Sequence, residues 1–427
     1  MTAATTSDAH FDRLETRSAD ERAASLRAAL PAQVANARAN APAFAARLGG
    51  IDPRAITSVS ALAALPVLRK GDLLAAQNAA GAGDVFGGFA TVGWGAQRPA
   101  SRRAARVFVS PGPVREPDTA RADYWRMARA LFAAGFRVGD LVHNSFSYHF
   151  TPAGAMMESG AQAIGCTVFP AGTGQTELQL QAMTTLAPNA YTGTPSFLRV
   201  LLEKADESGV VLTSLTKASL SGEAVPLALR EWLAARGIAA YQTYGTADLG
   251  LVAYETSARE GLVVDEEVVV EIVRPGTGDP VSEGEVGEIV VTTLNPDYPL
   301  IRYATGDLSA VLPGACPTGR TQLRIRGWLG RADQSTKVRG MFVHPSHVAE
   351  IVRRHPQIGR ARLVVEGAMA DDRMTLRAET GAALEGLSEL IVQTIRDVTR
   401  LRGEVALVSP GSLPNDGKII EDLRAAN

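Results

Sequence analysis

Four stretches of this chain carry side chains that could do chemistry on a charged ligand. The first is Tyr241-Gln-Thr-Tyr244-Gly245-Thr246-Ala247-Asp248, where a flat ring can stack on a planar group and a carboxylate can hold a hard cation. The second is Tyr298-Pro-Leu-Ile-Arg302-Tyr-Ala-Thr305-Gly306-Asp307-Leu308, which presents a carboxylate able to accept several hydrogen bonds at once. The third runs Ile325-Arg326-Gly-Trp328-Leu-Gly330-Arg331-Ala332-Asp333-Gln334-Ser-Thr-Lys337-Val-Arg339-Gly340, rich in Gly and Arg as a linker would be. The fourth, Leu413-Pro414-Asn415-Asp416-Gly417-Lys418-Ile419, places a lysine close to the end of the sequence. That lysine stands out because basic positions are almost all Arg: the lysines are Lys70, Lys204, Lys217, Lys337 and Lys418. A chain that uses Arg so freely can keep Lys where a compact, flexible ammonium is needed.

The elements that must position these groups can be read from apolar periodicity. Short apolar runs at Val107–Val109, Asp140–Ser145, Thr167–Phe169, Asn189–Thr192 and Ala218–Ser221 alternate with helical patterns at Tyr124–Gly135, Ala153–Gly165, Glu177–Leu186, Phe197–Glu207 and Pro226–Arg236. Such alternation predicts a parallel sheet with crossover helices, whose ligands lie beyond the carboxyl ends of the strands. The first hundred residues read as broken helices, with Pro31 a candidate break inside Ala23–Ala37. Past Tyr254 the pattern turns to β at Val263-Val264, Val268–Val273 and Glu288–Thr293, an antiparallel subdomain. The end of the chain reads as a small unit with helices at Pro345–His355 and Leu387–Leu401 and strands between and after them. The expectation is an α/β fold: a large N-terminal domain, 1–332, with parallel α/β sheets and a β subdomain, then a small mobile α+β domain, 333–427.

Composition narrows the function. The 427 residues have a formal net charge of −2 and 6% aromatics, so neither a basic field nor a stacking platform for nucleic acid is expected. Two cysteines exclude a disulfide framework and a four-cysteine zinc site; zinc is not expected at Cys316 or at His344 and His347 either. The opening Met1–Asp20 has no apolar core, and no stretch reaches the roughly 18 apolar residues of a membrane helix. Cytoplasmic residence without membrane partners is the expectation.

In order and spacing, the four stretches resemble the acyl-adenylating (AMP-binding) superfamily of CoA ligases, luciferases and adenylation domains, with greatest similarity to phenylacetate–CoA ligases. The resemblance implies an ATP-dependent carboxylic acid–CoA ligase working through an acyl-adenylate, with ATP/AMP, Mg²⁺ and CoA as cofactors and an aryl, arylacetic or small branched acid as substrate. Its alternatives are an adenylating enzyme with another acceptor and a non-turning-over homologue that binds nucleotide or acyl-AMP. A homodimer is compatible with it. The resemblance assigns Tyr244 to adenine, Gly245 and Thr246 to the α-phosphate loop, Asp248 to Mg²⁺ and Asp307 to the ribose hydroxyls. It assigns Arg331 to ribose or phosphate oxygen, Asp333 to the domain pivot, Gly340 to the pantetheine arm, and Lys418 to the substrate carboxylate and α-phosphate. Ser221-Gly222-Glu223 resembles the loop that frames adenine. Tyr148 and Phe150 fall where acyl-pocket residues lie, and Thr194 belongs to a Thr-Pro-Ser turn of the phenylacetate–CoA ligases.

One loop departs from the superfamily pattern. Where relatives carry Ser-Ser-Gly-Thr-Thr-Gly-Lys-Pro, this chain has Ser110-Pro111-Gly112-Pro113-Val114-Arg115-Glu116-Pro117. Both threonines, the second glycine and the lysine are missing. Two prolines remove backbone N–H donors from a phosphate cradle, and Glu116 brings a negative charge that Arg115 could offset. The expected consequence falls on the β- and γ-phosphates of ATP more than on AMP.

Overall fold

In the computed structural model, five strands run parallel in the order Ala239–Thr246, Lys217–Leu220, Ala190–Gly193, Leu141–Asn144, Thr167–Pro170. The structure describes residues 9–95, 99–110, 112–329, 331–332, 336–339, 341–343, 345–367, 372–381, 386–414 and 418–424. The chain divides into two compact units, Met1–Trp328 and Leu329–Asn427. Among the described residues no helix is long and apolar enough to cross a membrane.

The parallel strands follow from the sequence periodicity. Four of them have four residues each and are followed by a helix: Ala153–Ile164, Thr176–Leu186, Pro195–Glu207 and Leu227–Ala234. The sheet continues beyond Ala239–Thr246 by antiparallel pairing through Gly250–Tyr254, Leu262–Val264 and Arg324–Ile325 to Val311–Leu312, nine strands in all. Val263 and Val264 therefore extend the main sheet instead of joining the antiparallel subdomain. That subdomain pairs Val268–Val273 with Gly287–Thr293 and Tyr303–Ser309, and Leu68–Arg69 adds a parallel edge. Its strands are buried along their length because the N-terminal helices cover them in one apolar core.

Three local expectations are corrected. The run at Val107–Val109 is not part of the parallel sheet. The strand Arg106–Val109 pairs antiparallel with Arg115–Asp118, so the loop Ser110–Val114 is the tip of a β-hairpin. A hairpin partner nine residues on is available locally, and it replaces a helical crossover. Pro31 also fails to break its helix, which runs from Ala19 to Asn40. A capping box of Ser18 and Glu21 secures its start. Leu30, Val34 and Ala37 are fully buried on one face, and Gln33 donates to the carbonyls of Thr293 and Asn295. This burial holds the helix through a residue that costs it about 3 kcal/mol in an exposed interior. The predicted helix Tyr124–Gly135 is shorter, Met127–Ala133, because Arg126 takes the left-handed conformation at its start.

The second unit is a four-stranded sheet, Glu404–Val408, Arg373–Glu379, Ala361–Glu366 and Ile420–Asp422, with helices Pro345–Arg354 and Leu387–Thr399. Its own core contains Ile351, Leu363, Leu376, Ile391 and Ile395, with Ile420 from the last strand.

Candidate active site

Of the residues assigned from the sequence, Thr194, Ser221, Gly222 and Glu223 lie just past the carboxyl ends of two neighbouring parallel strands. After Ala190–Gly193, Thr194 caps the following helix, its hydroxyl accepting from the Phe197 amide at 3.3 Å. After Lys217–Leu220, Glu223 reaches across to the same turn and accepts from the Ser196 amide at 3.2 Å and the Ser196 hydroxyl at 2.9 Å. The Ser221 amide donates to the Gly193 carbonyl at 3.2 Å, and Gly222 has φ +82°. Two loops that are distant in sequence are thus tied together.

Beside them is a buried polar cluster. The Asn144 side-chain amide donates to Tyr148 Oη at 2.7 Å and to the Gly154 carbonyl at 2.8 Å, and the Thr192 hydroxyl donates to Asn144 Oδ1 at 3.0 Å. Ser145 and Tyr191 share a hydrogen bond between their hydroxyls. Gly193 is required by space: a Cβ there would lie 2.1 Å from Ser145 Oγ and 2.2 Å from Tyr191 Oη. Gly193→Ala is expected to cost about 1–3 kcal/mol by overpacking, read as a lower denaturation midpoint. An unchanged midpoint would show that this cluster gives way freely. Phe150 stands apart from the cluster. It has φ +61°, its side chain is 81% exposed, and its carbonyl accepts from the Val109 amide.

The end of Ala239–Thr246 meets the antiparallel subdomain at Asp307. This carboxylate is buried, and both its oxygens are engaged: Tyr244 Oη donates to Oδ2 at 2.8 Å and Trp328 Nε1 to Oδ1 at 3.0 Å. The Thr305 hydroxyl accepts from the Asp307 amide at 3.1 Å and fixes the turn. Thr246 Oγ1 accepts from the Leu249 amide at 3.1 Å. Gly245 allows close passage of the next strand, since a Cβ would lie 2.6 Å from the Gly250 carbonyl oxygen.

Asp248 is buried beside Glu116. Its Oδ2 is 3.8 Å from Lys70 Nζ, while its Oδ1 has no hydrogen-bond partner among the described residues. Glu116 Oε1 accepts from the Ser110 hydroxyl at 2.6 Å. Burial, with Asp248 nearby, pushes the Glu116 carboxyl well above the usual range. Arg115 points elsewhere, donating to the Val85 carbonyl and to Asn78 Oδ1, each at 3.0 Å. The cation near this loop is Lys70, whose side chain lies against Gly112.

Arg331 and Lys418 belong to the second unit. Arg331 is half-buried; Lys418 is exposed and 3.9 Å from Glu421. Asp333, Gly340 and Pro111 lie outside the described residues. Sequence reading passed over Lys70 and Trp328 as site residues. Scarcity of lysine is a usable signal for the first, and Trp328 lies in the Gly/Arg-rich third stretch.

Residues 121–295 match the family model described as AMP-binding enzyme. A phenylacetate–coenzyme A ligase of Aromatoleum evansii is 31% identical over 401 residues, covering 89% of this chain and 86% of its own. Another, from Thermus thermophilus, is 29% identical over 417 residues, covering 88% and 90%. A crystal structure of 2-hydroxyisobutyryl-CoA ligase, in complex with 2-HIB-AMP and CoA, superposes with a TM-score of 0.82 at 26% identity over 99% of this chain and 94% of that one. The chain belongs to the AMP-binding enzymes, in the family of the phenylacetate–CoA ligases, and is an AMP-forming acid–CoA ligase.

Proposed function

We propose that this enzyme activates a small branched carboxylic acid, with Asp307 holding the ribose of the nucleotide. The observation that carries the nucleotide reading is the Tyr244–Asp307–Trp328 group, where the strand Ala239–Thr246 meets the antiparallel subdomain. A carboxylate has about four acceptor sites, so a ribose diol can bind there beside or in place of the protein donors. The substrate carboxylate attacks the α-phosphorus of ATP, forming the acyl-phosphate bond and releasing pyrophosphate. The CoA thiol then attacks the acyl carbon, and AMP leaves with the former carboxylate oxygen.

Each residue has a separate task. Thr246 binds the α-phosphate. Lys418 neutralises charge shared by the substrate carboxylate and that phosphate as it develops. Arg331 binds ribose or phosphate oxygen, Asp333 is the pivot for the second unit, and Gly340 leaves room for pantetheine. Asp248 fits a hard cation, since it is a buried carboxylate whose Oδ1 makes no hydrogen bond of normal geometry among the described residues. Bound Mg²⁺ would offset phosphate charge. The hydroxyl-rich cluster of Ser145, Tyr148, Tyr191 and Thr192, with Phe150 turned outward, favours a short acid over an aryl one.

The test is pyrophosphate release with ATP, Mg²⁺ and a panel of aryl, arylacetic, short branched and hydroxy acids, with and without CoA. Release with short branched acids, coupled to thioester, is expected. A clear preference for aryl acids overturns the substrate reading, release without CoA consumption points to another acceptor, and AMP binding without any release marks a homologue that only binds. Trp328→Phe tests the ribose site separately. Removing a donor that competes for Asp307 is expected to tighten AMP binding about twofold to tenfold, the value of one exchanged hydrogen bond. Unchanged affinity would place the ribose elsewhere.

A further inference from the structure

The hairpin loop contains an unexplained charge. Glu116 immediately precedes Pro117, the position at which the resembling phosphate loops carry lysine. The side chain is not turned out to water: the residue is 1% exposed, and Ser110 anchors one oxygen. Its second oxygen, Oε2, has no partner among the described residues. Asp248, 8% exposed, leaves Oδ1 in the same state. The two carboxylates are close enough for each charge to act on the other, and both act on the buried Tyr298 and Tyr303 hydroxyls, which make no hydrogen bond of normal geometry. Facing these groups is the Lys70 ammonium, its side chain 42% exposed and 3.8 Å from Asp248.

Buried carboxylate oxygens without donors are costly unless paired or bound to a metal. A hard divalent cation is matched by oxygen donors of this kind. We propose that Glu116 is a second carboxylate of the Mg²⁺ site, acting with Asp248 when nucleotide is bound. The inference rests on the reading of Asp248 given above. A loop that has exchanged its lysine for Glu116 would then meet the polyphosphate through a metal ion and Lys70 in place of a loop lysine.

Titrating the full-length protein with Mn²⁺ in the presence of a non-hydrolysable ATP analogue, and following free Mn²⁺ by electron paramagnetic resonance, tests this without catalysis. Glu116→Gln keeps shape and an acceptor for Ser110 while removing the charge, and is expected to weaken Mn²⁺ binding at least tenfold. Glu116→Asp, with charge but less reach, should fall between it and the native protein. Asp248→Asn should weaken binding at least as much. Loss at Asp248 with Glu116→Gln within twofold of native overturns the role of Glu116. Native affinity in Asp248→Asn, or no Mn²⁺ bound by the native complex, overturns the Asp248 reading and this one with it. Should Glu116→Gln melt early, the Glu116→Asp titration decides: native affinity there overturns the proposal.

Discussion

Lys418→Ala is expected to lower acid-dependent pyrophosphate release by about 10²–10³-fold, the usual effect of deleting one preorganised group that meets developing charge. The fold should be untouched. The Lys418 side chain is 55% exposed, and its contact with Glu421 at 3.9 Å is a surface ion pair worth about 0–1 kcal/mol. The core of its unit includes Ile351, Leu363, Leu376, Ile391 and Ile395, and Lys418 is not a member of it. Supplying synthetic acyl-AMP and CoA should restore thioester formation, because that half-reaction no longer needs the ammonium at the α-phosphate. Unchanged pyrophosphate release at an unchanged melting temperature would remove Lys418 from the first half-reaction. Loss of both half-reactions would assign it a broader role.

Asp307→Ala should have the second largest effect, and a different signature. Asp307 receives Tyr244 Oη and Trp328 Nε1, and it is buried. Its removal deletes the proposed acceptor for the ribose hydroxyls and leaves two donors without a partner. Hydrogen bonds to a charged group contribute about 1.5–3 kcal/mol each, so AMP affinity, read by calorimetry, should fall on the order of 10²-fold or more. Stability should fall less, by up to about 1 kcal/mol, because Tyr244 is half-buried and Trp328 exposed, so water can replace the lost acceptor. Asp307→Asn separates the two losses. It keeps one acceptor oxygen, so it should recover much of the stability but little of the AMP affinity. AMP binding within threefold of native in Asp307→Ala would exclude this carboxylate as the ribose acceptor.

Much of the architecture was legible before any coordinates, for a local reason. The strands at Leu141–Asn144, Thr167–Pro170, Ala190–Gly193 and Lys217–Leu220 are short apolar runs ending in Gly, Ser, Thr or Pro, each followed by a helical period. Strand, turn and helix signals of this kind lie within a few residues of one another. The β character after Tyr254 was readable in the same way. Which sheet a strand joins was not. Val107–Val109 and Val263-Val264 look like their neighbours as sequence, yet one pairs in a hairpin and the other extends the main sheet. Pairing partners are chosen by long-range packing and register, which a run of apolar residues does not encode. Pro31 makes the same point, because a buried helix face outweighs a local breaker.

The sequence by itself determined the class of chemistry. Tyr244, Asp248, Asp307 and Lys418 occur in an order and in local contexts that few unrelated chains would share, and residue type carries most of their meaning. Only the tertiary structure decided who stands next to whom. It put the Lys70 ammonium beside Asp248, turned Arg115 away to Val85 and Asn78, and buried Glu116 against Ser110. It also gave Asp307 an indole donor from Trp328. Electrostatic and hydrogen-bond energies depend on separations of a few ångströms and on exclusion of water. Both are properties of packing between segments far apart in the chain.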